Sequence, residues 1–196
     1  MKKNIYTVLI NFLILLFWQI IATIINAHYI LPTPIQIVQK IWELKEPLFM
    51  VHLPYTMMIT CIGLFISIIL GVFLALIMDI NENMKNIIYP MIVASQTIPT
   101  IAIAPLFILW FGYGIWSKVV VTVLITFFAI VINTYDGLQS TKQDMKDLLI
   151  TYGADEKQIF FMLKIKMALP NFFTALKMSI PMSIIGSAIG EWLGSS

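Results

Sequence analysis

The chain carries ten carboxylates, twelve lysines, two histidines and a single cysteine, and these are the side chains with the strongest chemistry. No Asp or Glu falls in the middle of an apolar run. General acid–base or nucleophilic catalysis needs such groups to converge near a cleft, and the apolar runs here offer only scattered Ser, Thr, Asn and Gln. His28 and His52 form no His-Glu-x-x-His pattern, and Cys61 has no second cysteine to pair with. Neither a zinc site nor an internal disulfide is therefore expected. A Gly-x-x-x-x-Gly-Lys phosphate loop is absent, so the chain is not expected to bind or hydrolyse ATP in that manner. Ion-coupled transporters keep an ionisable group at mid-membrane, and that is missing as well. The residues thus predict no catalytic group, metal or cofactor, and any uphill work has to draw its energy from another subunit.

The polar residues that remain suggest contact and passage. The longest polar segment runs from Tyr135 to Leu169. Met145, Leu148, Leu149 and Tyr152 recur there at helical spacing, Gly153 suits a left-handed helix end, and Asp155 with Gln158 forms a capping box for a second helix. That second helix opens Ile159-Phe160-Phe161-Met162-Leu163, an apolar patch that reads either as a helix lying among lipid headgroups or as one seated in a partner's groove. Pro90, Pro99 and Pro105 each remove a helix hydrogen bond from the span before Trp110, which reads as a kinked gate or as simple tolerance of proline. Ser179, Ser183 and Ser187, with the Gly186–Gly190 pair, form a small-residue stripe that either packs a helix or lines a polar path.

These groups need elements to hold them, and composition dictates which. Hydrophobic residues make up 60% of the chain and charged residues 11%, whereas soluble domains run near half apolar and about a quarter charged. Apolar runs of about 18 residues or more are long enough to cross roughly 30 Å of hydrocarbon. Five spans can be counted, near Ile5–Ile25, Thr56–Met78, Ile87–Trp110, Lys118–Asn133 and Phe172–Gly190, the fourth being the shortest. They lack the period-two alternation of a membrane barrel, so backbone polar groups must be satisfied within helices. The fold class is all-α, a polytopic transmembrane helical bundle. The chain divides into a first helix plus outer amphipathic segment (residues 1–55) and a core (residues 56–196) whose polar loop spans 135–169.

Lysine placement predicts orientation. With the N-terminus cytoplasmic, Lys2, Lys3, Lys85, Lys142, Lys146, Lys157, Lys164 and Lys166 fall inside, and Lys40, Lys45 and Lys118 outside. The stretch after Met1-Lys2-Lys3 is too long for a signal peptide and lacks a small-residue cleavage site, so it reads as a retained helix. Outside, Thr33, Pro34 and Gln36 make a helix start, and Ile37, Val38, Ile41 and Trp42 share one side, facing either the membrane surface or an extracellular partner. Trp110, Phe111, Tyr113 and Trp116 suit an interfacial aromatic belt. The net charge of +2 is spread over scattered lysines, which excludes a nucleic-acid stripe.

Leu31-Pro32-Thr33-Pro34, Gln96-Thr97-Ile98-Pro99, Ala104-Pro105-Leu106, Trp110-Phe111-Gly112-Tyr113-Gly114 with Lys118, Phe127-Phe128, Asn133-Thr134 with Gly137-Leu138, and Glu191 together resemble the permeases of the nitrate, sulfonate and taurine ABC importers. The resemblance implies an inner-membrane permease working as a dimer, with ABC ATPase subunits below, an extracytoplasmic solute-binding protein above, and membrane lipid around it. The family's loop motif, Glu-Ala-Ala-x3-Gly-x9-Ile-x-Leu-Pro, falls on Asp147, Leu148, Leu149 and Gly153, then on Leu163, Ile165 and Lys166. Only the glycine is identical; Leu169-Pro170 matches a second Leu-Pro of the family. ATPase coupling is accordingly expected of Asp147, Leu148, Leu149, Gly153, Ala154, Ile159, Phe160 and Leu163, and path lining of Gln96, Thr97 and Ser183. The family also continues past Glu191 into a sixth helix, so the chain reads as a fragment or truncated product. The expected function is inward movement of a small polar or anionic solute, such as nitrate, a sulfonate, taurine or a vitamin-precursor pyrimidine. A membrane-embedded enzyme or structural assembly factor is the alternative.

Overall fold

The computed structural model describes residues 2–27 and 29–194, with side chains from Tyr6 onward. His28, expected in the outer segment, lies outside the described residues, as do Ser195 and Ser196. Contacts divide the chain into two units, Met1–Pro54 and Tyr55–Ser196.

In the first unit, α1 (Lys2–Ile25) runs 24 residues, about 36 Å at 1.5 Å per residue. Its most apolar stretch is only 6% buried, as expected of a helix whose solvent is lipid. Helix α2 (Pro34–Glu43) starts as its residues dictate: Thr33 Oγ1 accepts from the Gln36 amide at 3.2 Å, Gln36 Oε1 accepts from the Thr33 amide at 3.0 Å, and Pro34 takes the first turn. The Ile35 amide donates to Gln19 Oε1 on α1 at 3.4 Å. Val38, Ile41 and Trp42 form an exposed apolar face.

The second unit is built on three long helices: α3 (Leu53–Ile80), α6 (Ile115–Gln139) and α8 (Glu156–Leu193). Half of the most apolar stretch of α6 is buried, against 28% in α8, so α6 is the central helix. Glycines let its neighbours approach. A Cβ at Gly63 or Gly71 of α3 would stand 2.6 Å from Thr122 Cγ2 or 2.7 Å from Ile130 Cγ2 of α6. A Cβ at Gly186 or Gly190 of α8 would stand 2.9 Å from the Cα of Thr122 or Lys118 of α6. The small-residue pair of the last span therefore packs a helix. Hydroxyls bridge the helices: Ser67 Oγ of α3 and Thr126 Oγ1 of α6 are 2.5 Å apart, and Thr60 Oγ1 of α3 and Ser187 Oγ of α8 are 2.9 Å apart.

Helices α4 (Glu82–Ser95) and α5 (Thr100–Phe111) replace the single kinked span expected at Ile87–Trp110. They meet at a 99° bend. Of the three prolines expected to kink it, Pro99 stands at the break as the residue before α5, while Pro90 and Pro105 lie inside helices. At the break the Gln96 and Thr97 amides turn back onto the Val93 and Ala94 carbonyls at 3.1 Å, and Pro99 has no amide to continue the ladder. Ile92 and Tyr89 of α4 pack with Ala75, Met78, Val131 and Tyr135 of α3 and α6. The starts of α3 and α6 meet at Tyr55 and Lys118 and their ends at Asp79 and Gln139, so these helices run parallel. The bent pair must then return the chain from the Asp79 end to the Lys118 end and counts as one crossing, giving, with α1, five apolar spans among the described residues.

The polar loop is also shorter than its sequence suggests. Helix α6 continues to Gln139, and α7 (Gln143–Thr151) stands alone. The second loop helix and the last span fuse into α8, 38 residues with a wide π turn at Phe160–Lys164. Only one polar break, at residues 152–155, separates α7 from α8.

The glycine seams make a direct prediction. Gly190→Val places its branched Cβ against the α6 backbone at Lys118, which cannot move aside as a side-chain tip would, so the loss should exceed the 1–3 kcal/mol usual for overpacking. Gly114→Ala, at φ −70° with nothing within 4 Å of the added carbon, should stay within about 0.5 kcal/mol. Thermal unfolding of both variants in detergent checks the contrast.

Candidate functional site

The corner between α7 and α8 is positioned by two reciprocal caps. Helix α7 closes with the Ala154 amide donating to the Leu149 carbonyl at 3.0 Å and the Gly153 amide to the Ile150 carbonyl at 2.9 Å. This double closure requires a left-handed residue, and Gly153 supplies it at φ +82°. Asp155 then opens α8: its Oδ1 accepts from the Gln158 amide at 2.7 Å, and Gln158 Oε1 accepts from the Asp155 amide at 2.9 Å. Nothing lies within 4 Å of a Cβ added to Gly153, so its constraint is conformational.

The corner brings the expected contact residues together but divides them between two faces. Leu148 is exposed, Asp147 is exposed and accepts from Gln143 Nε2 at 2.9 Å, and Leu149 and Ala154 are half-buried. Ile159 is buried, and Phe160 and Leu163 are half-buried, so the patch expected to present Ile159, Phe160 and Leu163 turns them largely inward. Leu148, Ile150, Tyr152, Phe161 and Met162 are instead each more than half exposed, and of these Ile150 and Phe161 border the cavity beneath the corner. Tyr152 belonged to the helical stripe seen in the sequence. Phe161 and Met162 belonged to the apolar patch seen in the sequence, though not to its expected contact residues, and Ile150 was missed because it falls outside the stripe of Met145, Leu148, Leu149 and Tyr152.

Beneath the corner lies a cavity of 510 Å³ between α7, the start of α8 and the end of α3. Lys146, Lys157, Glu156, Asp79 and Lys164 are the charged residues of its lining. The Asp79 side chain is 2% exposed. Its carboxylate accepts from Lys164 Nζ with both oxygens at 2.9 Å and from Gln139 Nε2 at 2.8 Å. No sequence signal marks this trio, since Asp79 and Lys164 are 85 residues apart.

The expected path residues separate. Gln96 and Thr97 are exposed at the α4–α5 break, where Thr97 Oγ1 donates to the Ala94 carbonyl at 2.8 Å. Ser183 is fully buried in α8, and its hydroxyl donates to the Ile180 carbonyl at 2.7 Å. At the opposite end from the corner, Thr56 Oγ1 donates to Glu191 Oε2 at 2.9 Å, and Lys118 Nζ lies 4.9 Å above the Tyr55 ring.

Known proteins are similar to this chain in sequence. Residues 67–196 match the family described as binding-protein-dependent transport system inner membrane component. The chain is similar to the formylaminopyrimidine transport permease protein ThiX of Halalkalibacterium halodurans, 51% identical over 94% of this chain and 74% of that protein. It is 31% identical to the riboflavin transport system permease protein RibX of Chloroflexus aurantiacus, over 92% of this chain and 68% of that one. With the putative aliphatic sulfonates transport permease protein SsuC of Bacillus subtilis it shares 27% identity, over 93% and 67%. A five-span helical membrane chain carrying these matches belongs to the binding-protein-dependent transport inner-membrane component family and is a permease subunit of an ABC importer.

Proposed function

We propose that this permease takes up a formylaminopyrimidine-like solute, a small polar pyrimidine. The identity of 51% to ThiX across nearly the whole chain carries that reading; relatives named for sulfonates, taurine and nitrate match at 27%, 24% and 23%. Movement is inward, by alternating access. An extracytoplasmic binding protein delivers the solute, and a second permease copy completes the path. Partner ATPase subunits hydrolyse ATP, because this chain has no phosphate loop of its own.

The α7–α8 corner is the ATPase docking element in this reading, and its exposed apolar face supports that role. Leu148, Tyr152, Phe161 and Met162 form an apolar knob beside charged Asp147 and Lys157, a composition suited to a helix seated in a partner's groove. Asp147, Leu149, Ala154, Ile159, Phe160 and Leu163 hold the knob in place, with Gly153 as its turn. Gln96 and Thr97 line the path: a non-helical break at membrane depth is tolerated only against protein or water, and the break they occupy lies about 20 Å along from the start of α4. Ser183 contributes to the same path from within α8. The N-terminus and the corner are cytoplasmic, as the lysine distribution favours.

Three experiments test this reading. The full-length permease, its ATPase and its binding protein, reconstituted in vesicles, should concentrate formylaminopyrimidine and not taurine, and omission of any one component should abolish uptake. In a background with Cys61 replaced, a cysteine at Lys157 should react with an impermeant thiol reagent only after the membrane is opened, whereas one at Lys45 should react in intact cells. Gly153→Val should cost about 1 kcal/mol or more in backbone strain and weaken co-purification with the ATPase, whereas Gly153→Asn, which enters the left-handed region more readily, should retain most of it.

A further inference from the structure

Asp79 stands in the last turn of α3, where the helix dipole disfavours an acid, and it is nearly sealed from solvent. A carboxylate so placed is tolerated only if its charge is met. Lys164 Nζ donates to both of its oxygens at 2.9 Å and Gln139 Nε2 adds a third bond at 2.8 Å. Those partners come from different elements: Gln139 is the last residue of α6, and Lys164 closes the wide turn of α8 directly below the corner. One buried side chain thus ties the ends of α3, α6 and α8 together in the lining of the cavity that separates the corner from α3.

We propose that Asp79 is a positioning residue for energy coupling: with Lys164 and Gln139 it makes the corner and the ends of α3 and α6 move as one body. This rests on the reading of the corner as the ATPase docking element. The corner overhangs a cavity, so packing beneath it is incomplete, and a displacement of its helices would otherwise be absorbed there. With the ion pair intact the displacement passes to α3 and α6 as a rigid-body shift. With the pair broken, the corner still docks, because its exposed apolar face is untouched, but its motion is spent in the cavity.

The experiment measures solute uptake and ATP hydrolysis together in vesicles holding the full-length permease, its ATPase and the binding protein. Asp79→Asn and Lys164→Gln should each co-purify with the ATPase as the unsubstituted permease does, yet lower the uptake per ATP hydrolysed by roughly fivefold, the size of coupling change that residues between two sites produce. The exchanged pair Asp79→Lys with Lys164→Asp should recover most of that ratio, since the Gln139 amide can rotate to offer its oxygen. Lys164→Arg, which keeps the charge, should stay near the unsubstituted value. An unchanged ratio in both single variants, or an exchanged pair no better than either, overturns the proposal; if Asp79→Asn fails to insert, Lys164→Gln decides alone. Loss of ATPase co-purification in Lys164→Gln, with a normal thermal unfolding temperature, would also overturn it by making the residue part of the docking surface. An unsubstituted permease that never binds the ATPase strikes the docking reading itself, and the proposal falls with it.

Discussion

Everything in the second unit depends on how closely α3 and α8 approach α6. In lipid the hydrophobic effect gives helices no reason to associate, since a neighbouring acyl chain is as apolar as a neighbouring leucine. Association then relies on dispersion and on hydrogen bonds between helices, and both demand short distances. Gly63 and Gly71 provide them where α3 meets α6, and Gly186 and Gly190 where α8 meets α6. Thr122 is the narrowest point, since a Cβ at Gly63 of α3 or at Gly186 of α8 would collide with it. The hydroxyl pairs Ser67–Thr126 and Thr60–Ser187 exist because the backbones are already that near. Such bonds average about 0.6 kcal/mol in membranes, so they tune register more than they supply stability.

The same reasoning explains why the large apolar residues point outward. Phe65, Ile69 and Phe73 of α3 are exposed, whereas Gly63, Ser67, Gly71 and Ala75 are buried. In water that arrangement would be inside out. In a bilayer it is the lowest-energy sorting, because large side chains lose nothing against lipid and small ones gain a helix partner. The bundle therefore keeps its polar and small residues for protein contacts, and these are also the contacts that a change of conformation has to break and remake.

Features set by local chemistry were legible in the sequence. The Thr33–Gln36 and Asp155–Gln158 boxes and the left-handed Gly153 involve neighbours a few residues apart, and each formed as its residue types require. The apolar spans were legible because lipid imposes a length and a composition. Three features were hidden, for different reasons. Pro90, Pro99 and Pro105 read alike, yet the break came only at Pro99, where the preceding amides found turn bonds. The inward facing of Ile159, Phe160 and Leu163 is set by how the corner packs, which neighbouring residues do not reveal. The Asp79–Lys164–Gln139 trio joins distant segments through tertiary structure alone.

The length of α8 has a geometric consequence. It is one helix of 38 residues, about 57 Å at 1.5 Å per residue, nearly twice the roughly 30 Å hydrocarbon layer. Lys164, held by Asp79, divides it unequally: Glu156–Lys164 on one side, Ile165–Leu193 on the other. The two arms measure about 12 Å and about 43 Å. The longer arm alone is enough to cross the hydrocarbon layer, so the shorter arm and the corner it carries are surplus to the crossing.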